Sequence, residues 1–105
     1  MCSADLVGHK PALAVGVSAS RGGTWPIAEL RSSSFKNNRM CWIPEHLVIR
    51  DVAQMLSAAE PEEPDDRYIR DRIDYALSVL RSYASALAQV RSSGVIDHES
   101  YPNGM

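Results

Sequence analysis

Apolar residues fall into three patterns along this chain, and each predicts a different element. From Ala12 to Val17 the run is almost continuously apolar, with Leu13, Val15 and Val17 on one face and Ala12, Ala14 and Gly16 on the other. That predicts a parallel strand covered on both sides, whose small-residue face lets a helix approach closely. After the loop Ser18 to Gly23, Thr24 is expected to cap a helix with Pro26 in its first turn. Ile27, Ala28, Leu30 and Arg31 carry that helix forward, and it should end near Ser32 to Ser34, whose hydroxyls compete for backbone hydrogen bonds. Asn37-Asn38 then marks a turn before Arg39 to Ile43, read as a strand that Pro44 stops. A second extended piece, Leu47 to Ile49, follows at once.

The third pattern is the longest. Ile69, Ile73, Ala76, Leu77, Leu80, Ala84 and Leu87 recur at spacings of three and four. This predicts one helix from Asp66 to about Arg91, capped by Asp65 and ended by Gly94, with a single stripe facing a core. Its opposite face carries the i,i+4 pairs Asp66 with Arg70, Arg67 with Asp71, and Arg70 with Asp74, and is expected to be solvated. The acidic, Pro-punctuated segment Ala58 to Asp66 reads as a solvated connection. The order is strand, helix, one or two short strands, helix. Two parallel strands do not form a stable sheet alone, so the pattern describes half of a doubly wound domain.

Composition narrows the setting. A chain of 105 residues, 45% hydrophobic and 23% charged, is expected to form a single domain, residues 1–105, able to bury roughly two thirds of its surface. A formal charge of −2 gives no field that would hold a nucleic-acid backbone, so nucleic acid is not expected as a partner. Cys2 and Cys41 match no zinc or C-x-x-C spacing and are read as reduced thiols. No basic region precedes the short apolar run, which predicts neither a leader nor a membrane span and places the protein in the cytoplasm. His9, His46 and His98 are too scattered to suggest a metal site. Met40, Trp42 and Ile43 are expected in the core, and His46 as a hydrogen-bonded structural histidine.

Chemistry is sought first at Ser18-Ala19-Ser20-Arg21-Gly22-Gly23, because ligands in open α/β sheets sit at the carboxyl ends of strands. Two hydroxyls, a guanidinium and two residues that tolerate positive φ can aim several N–H groups at a carbonyl, a phosphate or the edge of a ring. The same residues could equally do no more than turn the chain from strand to helix. No G-x-G-x-x-G and no Walker-type loop is present. Gly16-Val17-Ser18-Ala19-Ser20 has the outline of a nucleophile elbow, but Ser20 stands where glycine is needed, and Asp97-His98 near the tail is a poor acid and base.

The run Gly8 to Leu13, the loop and helix Ser20 to Arg31, Lys36 to Arg39, Trp42 to Arg50 and the ending Ile96 to Met105 together resemble the NAD(P)H-dependent FMN reductase family. The resemblance spans the chain from about Gly8, and is most specific in the loop and in the Pro26 to Arg31 helix. It implies an α/β, partial flavodoxin-like three-layer fold, matching only the family's C-terminal half. The family's phosphate-binding loop and its Pro-Glu-Tyr-Asn-Gly type loop have no counterpart here. By resemblance, Ser18, Ser20, Arg21, Gly22 and Gly23 line the FMN ring, with NADPH or NADH as electron donor and no catalytic side chain required. Where the family often has an early glycine, this chain has Ala19-Ser20. The implied function is an FMN reductase-like oxidoreductase, truncated or one half of a split enzyme, that pairs with itself or with a chain supplying the first half. The alternative is a non-enzymatic half-domain that acts only through self-association or a partner chain.

Overall fold

A computed structural model describes residues 4–105, so Cys2 lies outside the described residues. The order is a short helix α1 (Ala4–Val7), strand β1 (Pro11–Val17), helix α2 (Thr24–Ser33), strand β2 (Cys41–Ile49), a 3-10 turn (Val52–Gln54) and helix α3 (Pro64–Ser92). β1 and β2 form a two-stranded parallel sheet joined by α2. Among the described residues the fold is thus mixed α/β, with three α-helices and one small sheet.

β1 forms where the apolar run predicts it, but only one of its faces is fully covered. Ala14 and Gly16 are buried; a Cβ on Gly16 would overlap the Gly23 carbonyl and touch Ile27 Cδ1. The small-residue face is therefore what lets the start of α2 lie on the strand. On the other face Val15 and Val17 are 45% and 57% exposed, whereas their register partners on β2, Leu47 and Ile49, are 5% and 9% exposed. The expectation of a strand covered on both faces fails because α3 shields β2 and leaves β1 half open.

Pro44 does not stop the second strand. β2 runs through it with a register irregularity: Ala12 is opposite Trp42, and Ala14 is opposite His46. A bulge can hold a proline because the missing donor falls where the ladder is already interrupted. The carbonyls left there are satisfied by Arg31 of α2, whose Nη2 lies 2.8 Å from the Ile43 oxygen, 3.2 Å from that of Pro44 and 3.3 Å from that of Glu45. The same nitrogen is 3.5 Å from Nδ1 of His46, so this histidine is hydrogen-bonded as expected, although it is exposed. Ile43 is buried, while Met40 and Trp42 are half-buried; the Trp42 indole donates to the Ser34 carbonyl at 2.7 Å.

Helix boundaries differ from expectation at both N-termini. Gly23, at φ 106°, takes the cap position of α2 in place of Thr24 and makes no side-chain cap bond. At the other end, Ser32 and Ser33 both donate to the Glu29 carbonyl, the competition expected of them. α3 begins at Pro64 with Glu63, not Asp65, at the cap, because proline's fixed φ suits the first helical position and acids in the first turn favour the helix dipole. It ends at Ser92, and Gly94 follows at φ 82°.

The stripe of α3 is only partly used. Ala76 is buried and Ile69, Ile73, Leu80 and Leu87 are half-buried, but Leu77 is 50% exposed and Ala84 is exposed as well. A 29-residue helix is about 43 Å long, more than a two-stranded sheet can cover. The charged face also behaves differently from a solvated one. Asp66 is buried, accepts from the Leu56 N–H at 2.9 Å and pairs with Arg70 at 3.3 Å. Arg70 in turn donates to the carbonyls of Ala58 and Ala59, so the acidic connection is pinned to α3. Among the described residues the other two expected pairs do not form, while Arg72 reaches Glu45 of β2 at 2.8 Å.

Candidate functional site

The loop Ser18 to Gly23 leaves β1 beside the point where Arg50 leaves β2, and backbone bonds hold the two exits together. Ser18 N–H donates to the Ile49 carbonyl at 2.9 Å, Asp51 N–H to that of Ser20 at 2.9 Å, and Val52 N–H to that of Ser18 at 3.1 Å. Arg50 Nε adds a bond to the Arg21 carbonyl at 2.8 Å. This zipper requires Asp51 to adopt φ 47°, a left-handed conformation that aspartate tolerates better than most residues.

An open cleft of about 590 Å³ lies against these exits, at the carboxyl ends of both strands. Arg21 and Arg50 bring positive charge, Asp51 and Asp65 negative charge, and Val48, Met55, Ile69 and Tyr68 an apolar and aromatic wall. Of the five residues singled out in the sequence, only Arg21 lines the cleft. Ser18 and Ser20 serve the zipper through their backbones, and the Ser18 hydroxyl accepts from the Ser20 N–H at 3.1 Å. Gly22 packs near that hydroxyl, and Gly23 sits against Val48 at the start of α2. The N–H groups of Arg21, Gly22 and Gly23 make no hydrogen bond among the described residues.

Arg50, Asp51, Tyr68 and Ile69 were not singled out in the sequence as site residues. Arg50 and Asp51 had a usable signal: they follow the second strand, and the exits of neighbouring parallel strands share one crevice. Tyr68 and Ile69 had none, because their place depends on how the start of α3 returns over the strand ends.

The elbow-like serine has no base. Ser18 lies at the carboxyl end of β1, and His98 stacks on His9 just before its other end, with ring centroids 5.6 Å apart. A seven-residue strand separates them by roughly 23 Å. The two histidines are distant in sequence yet adjacent in space, beside Arg39, Asp97 and Tyr101 around a second cavity of about 320 Å³. Burial, then the neighbouring His98, Arg39 and Arg91, hold the His9 pKa below its usual value. The described residues contain no group of three or more His, Cys, Asp or Glu side chains placed to hold a metal ion. Cys41 is free and half-buried.

Compared with known proteins, the chain matches no family model, no curated protein and no solved structure. No described helix is long and apolar enough to cross a membrane.

Proposed function

We propose that this chain is the C-terminal half of a flavodoxin-like, NAD(P)H-dependent FMN reductase and contributes the ring-facing side of its flavin site, in the cytoplasm. The observation that carries this reading is the cleft at the carboxyl ends of two parallel strands, with Arg21 of the loop at its rim. The walls suit a flat aromatic ring: Tyr68, Ile69, Val48 and Met55 offer apolar surface, and Arg21 and Arg50 bring cationic donors to its polar edge. Bound FMN would accept hydride from NADPH or NADH, while this chain positions the ring and limits water around it. By resemblance the FMN phosphate is held by a loop of the family's first half, which has no counterpart in this chain. Charge-assisted phosphate bonds contribute roughly 1.5 to 3 kcal/mol each, so the phosphate side is assigned to a second segment and FMN should bind weakly to this chain alone.

Complementation tests the reading. Mixed or co-expressed with the N-terminal half of a flavodoxin-like reductase, the chain should retain FMN and oxidise NADPH or NADH in a flavin-dependent way. A mixture that forms a complex but neither holds flavin nor turns over would overturn the proposal. The partial cover of β1 favours the second reading, a half-domain acting only through association, and that outcome would select it.

A further inference from the structure

We propose that residues 95–105 form a strap across the amino ends of both strands that acidification releases, with the stacked rings of His9 and His98 as its catch. His9 precedes β1 and Arg39 precedes β2, and the His9 N–H donates to the Arg39 carbonyl at 2.7 Å. Both residues take left-handed backbone conformations, at φ 56° and 54°, so the two lead-ins make a fixed floor. Polar contacts lay the strap on it. His98 stacks on His9 and turns Nδ1 to Asp5 of α1 at 3.5 Å, Arg39 donates to the Tyr101 carbonyl, and the Gly104 N–H donates to the Asn37 side chain at 3.2 Å. Apolar burial adds little, since Val95, Tyr101 and Met105 are exposed and Ile96 is half-buried. A segment held this way opens more readily than the sheet beneath it. Gly94, at φ 82° and with open space where a Cβ would stand, lies between α3 and the strap and provides the hinge.

Proton uptake drives the release because positive charge gathers at the catch. His9 is faced by the His98 ring, by Arg39 and by Arg91 of α3, whose Nη1 donates to the His9 carbonyl at 2.9 Å. Beside it, Lys10 donates to the Leu6 carbonyl. The carboxylates nearby offer little relief: Asp5 meets His98 and is 83% exposed, and Asp97 accepts from the Ser100 N–H at 2.9 Å. Neither guanidinium forms an ion pair among the described residues. Burial and these neighbours hold the His9 pKa below its usual value, and release takes away His98 and part of the burial. The released chain therefore binds the proton more tightly. The strap is held above about pH 6.5 and loosens as pH falls toward the docked value, by up to about tenfold per pH unit for one proton. Release also lets water reach Nε2 of His98, which is buried without a hydrogen-bond partner while the strap is down.

The catch lies at the opposite end of the strands from the cleft, so failure to bind FMN leaves this inference untouched. Backbone amide NMR relaxation of the full chain tests it. The amides of Ser100, Tyr101 and Gly104 should be as ordered as those of the strands at about pH 7.5 and mobile at about pH 5.5, with a midpoint that follows the His9 ring titration. The amides of β1 and β2 should keep their shifts across this range. His9→Asn suits the left-handed φ and carries no titrating group, so the order of the strap should then be the same at both pH values. If that variant unfolds, His98→Phe decides: it keeps a ring against His9 without a second charge, and the strap should stay ordered at about pH 5.5. A wild-type strap equally ordered or equally mobile at both pH values would overturn the inference, as would an unchanged release midpoint in folded His9→Asn or His98→Phe. Loss of the strand amides at the same midpoint would also overturn it, since the release would then be global unfolding.

Discussion

Gly16 of β1 lies directly under the carbonyl of Gly23 at the start of α2, leaving no room for a Cβ between strand and helix. Gly16→Ala should therefore destabilise the fold by about 1–3 kcal/mol, the usual effect of overpacking, and Gly16→Val by more. Gly23→Ala should also be costly, because its φ of 106° disfavours an L side chain and the new Cβ would stand 3.0 Å from Val48 Cγ1. Urea denaturation measures both; unchanged midpoints would show that α2 can move away from the strand.

Arg31 allows β2 to continue through its bulge, since one guanidinium nitrogen faces the carbonyls of Ile43, Pro44 and Glu45. Hydrogen bonds from a charged donor contribute roughly 1.5–3 kcal/mol, and Arg31→Ala should lower stability by about that amount. Amide exchange should then speed up in β2 around the bulge before it does in the second half of α3.

Asp66 is held ionised below the usual carboxylate range, chiefly by the Leu56 N–H and also by Arg70. Because its folded pKa is depressed, its contribution is present above the unfolded value of about 4 and is lost as pH falls through the folded value. Asp66→Asn should lower the urea midpoint at neutral pH and flatten the decline in stability below about pH 4. An equally steep acid limb in the variant would assign that decline to other carboxylates, such as Asp97, which the Ser100 N–H also holds low.

His9 gives a second pH dependence in a different window. Burial and the charges of its neighbours depress its folded pKa, so below about pH 6.5 the unfolded chain takes up the proton first. Stability is thus full above that pH and is lost as pH falls toward the folded value. Asn suits the left-handed φ of 56° at this position and does not titrate. His9→Asn should flatten the stability profile between about pH 7 and 5, and histidine titration followed by NMR would check the assignment.

If the cleft takes the flavin ring as proposed, Arg21 and Tyr68 of its lining would meet the ring, whereas Ser18 only shapes the loop. In the complemented enzyme Arg21→Ala and Tyr68→Ala should weaken FMN binding, as read by fluorescence titration. Ser18→Ala should have little effect, because that hydroxyl is used within the loop. Loss of turnover in Ser18→Ala at full flavin content would count against the reductase reading.

Local sequence by itself determined β1, the body of α2 and α3, and the stop at Gly94, because apolar spacing, proline at a first turn and glycine at positive φ act over a few neighbouring residues. The radius of gyration, 16.5 Å against about 13 Å for a compact domain of this length, reflects how far α3 reaches beyond the two-stranded sheet. Only the tertiary structure decided what Pro44, Asp66, His98 and the cleft residues do. Pro44 ends a strand unless a guanidinium from another element meets its stranded carbonyls. Asp66 is a surface acid unless the chain ten residues earlier brings it a donor. His9 and His98, and likewise Arg21 and Tyr68, become neighbours only when α3 runs back along the sheet. Each of these outcomes depends on distances between residues far apart in the chain, which no local pattern of polar and apolar positions encodes.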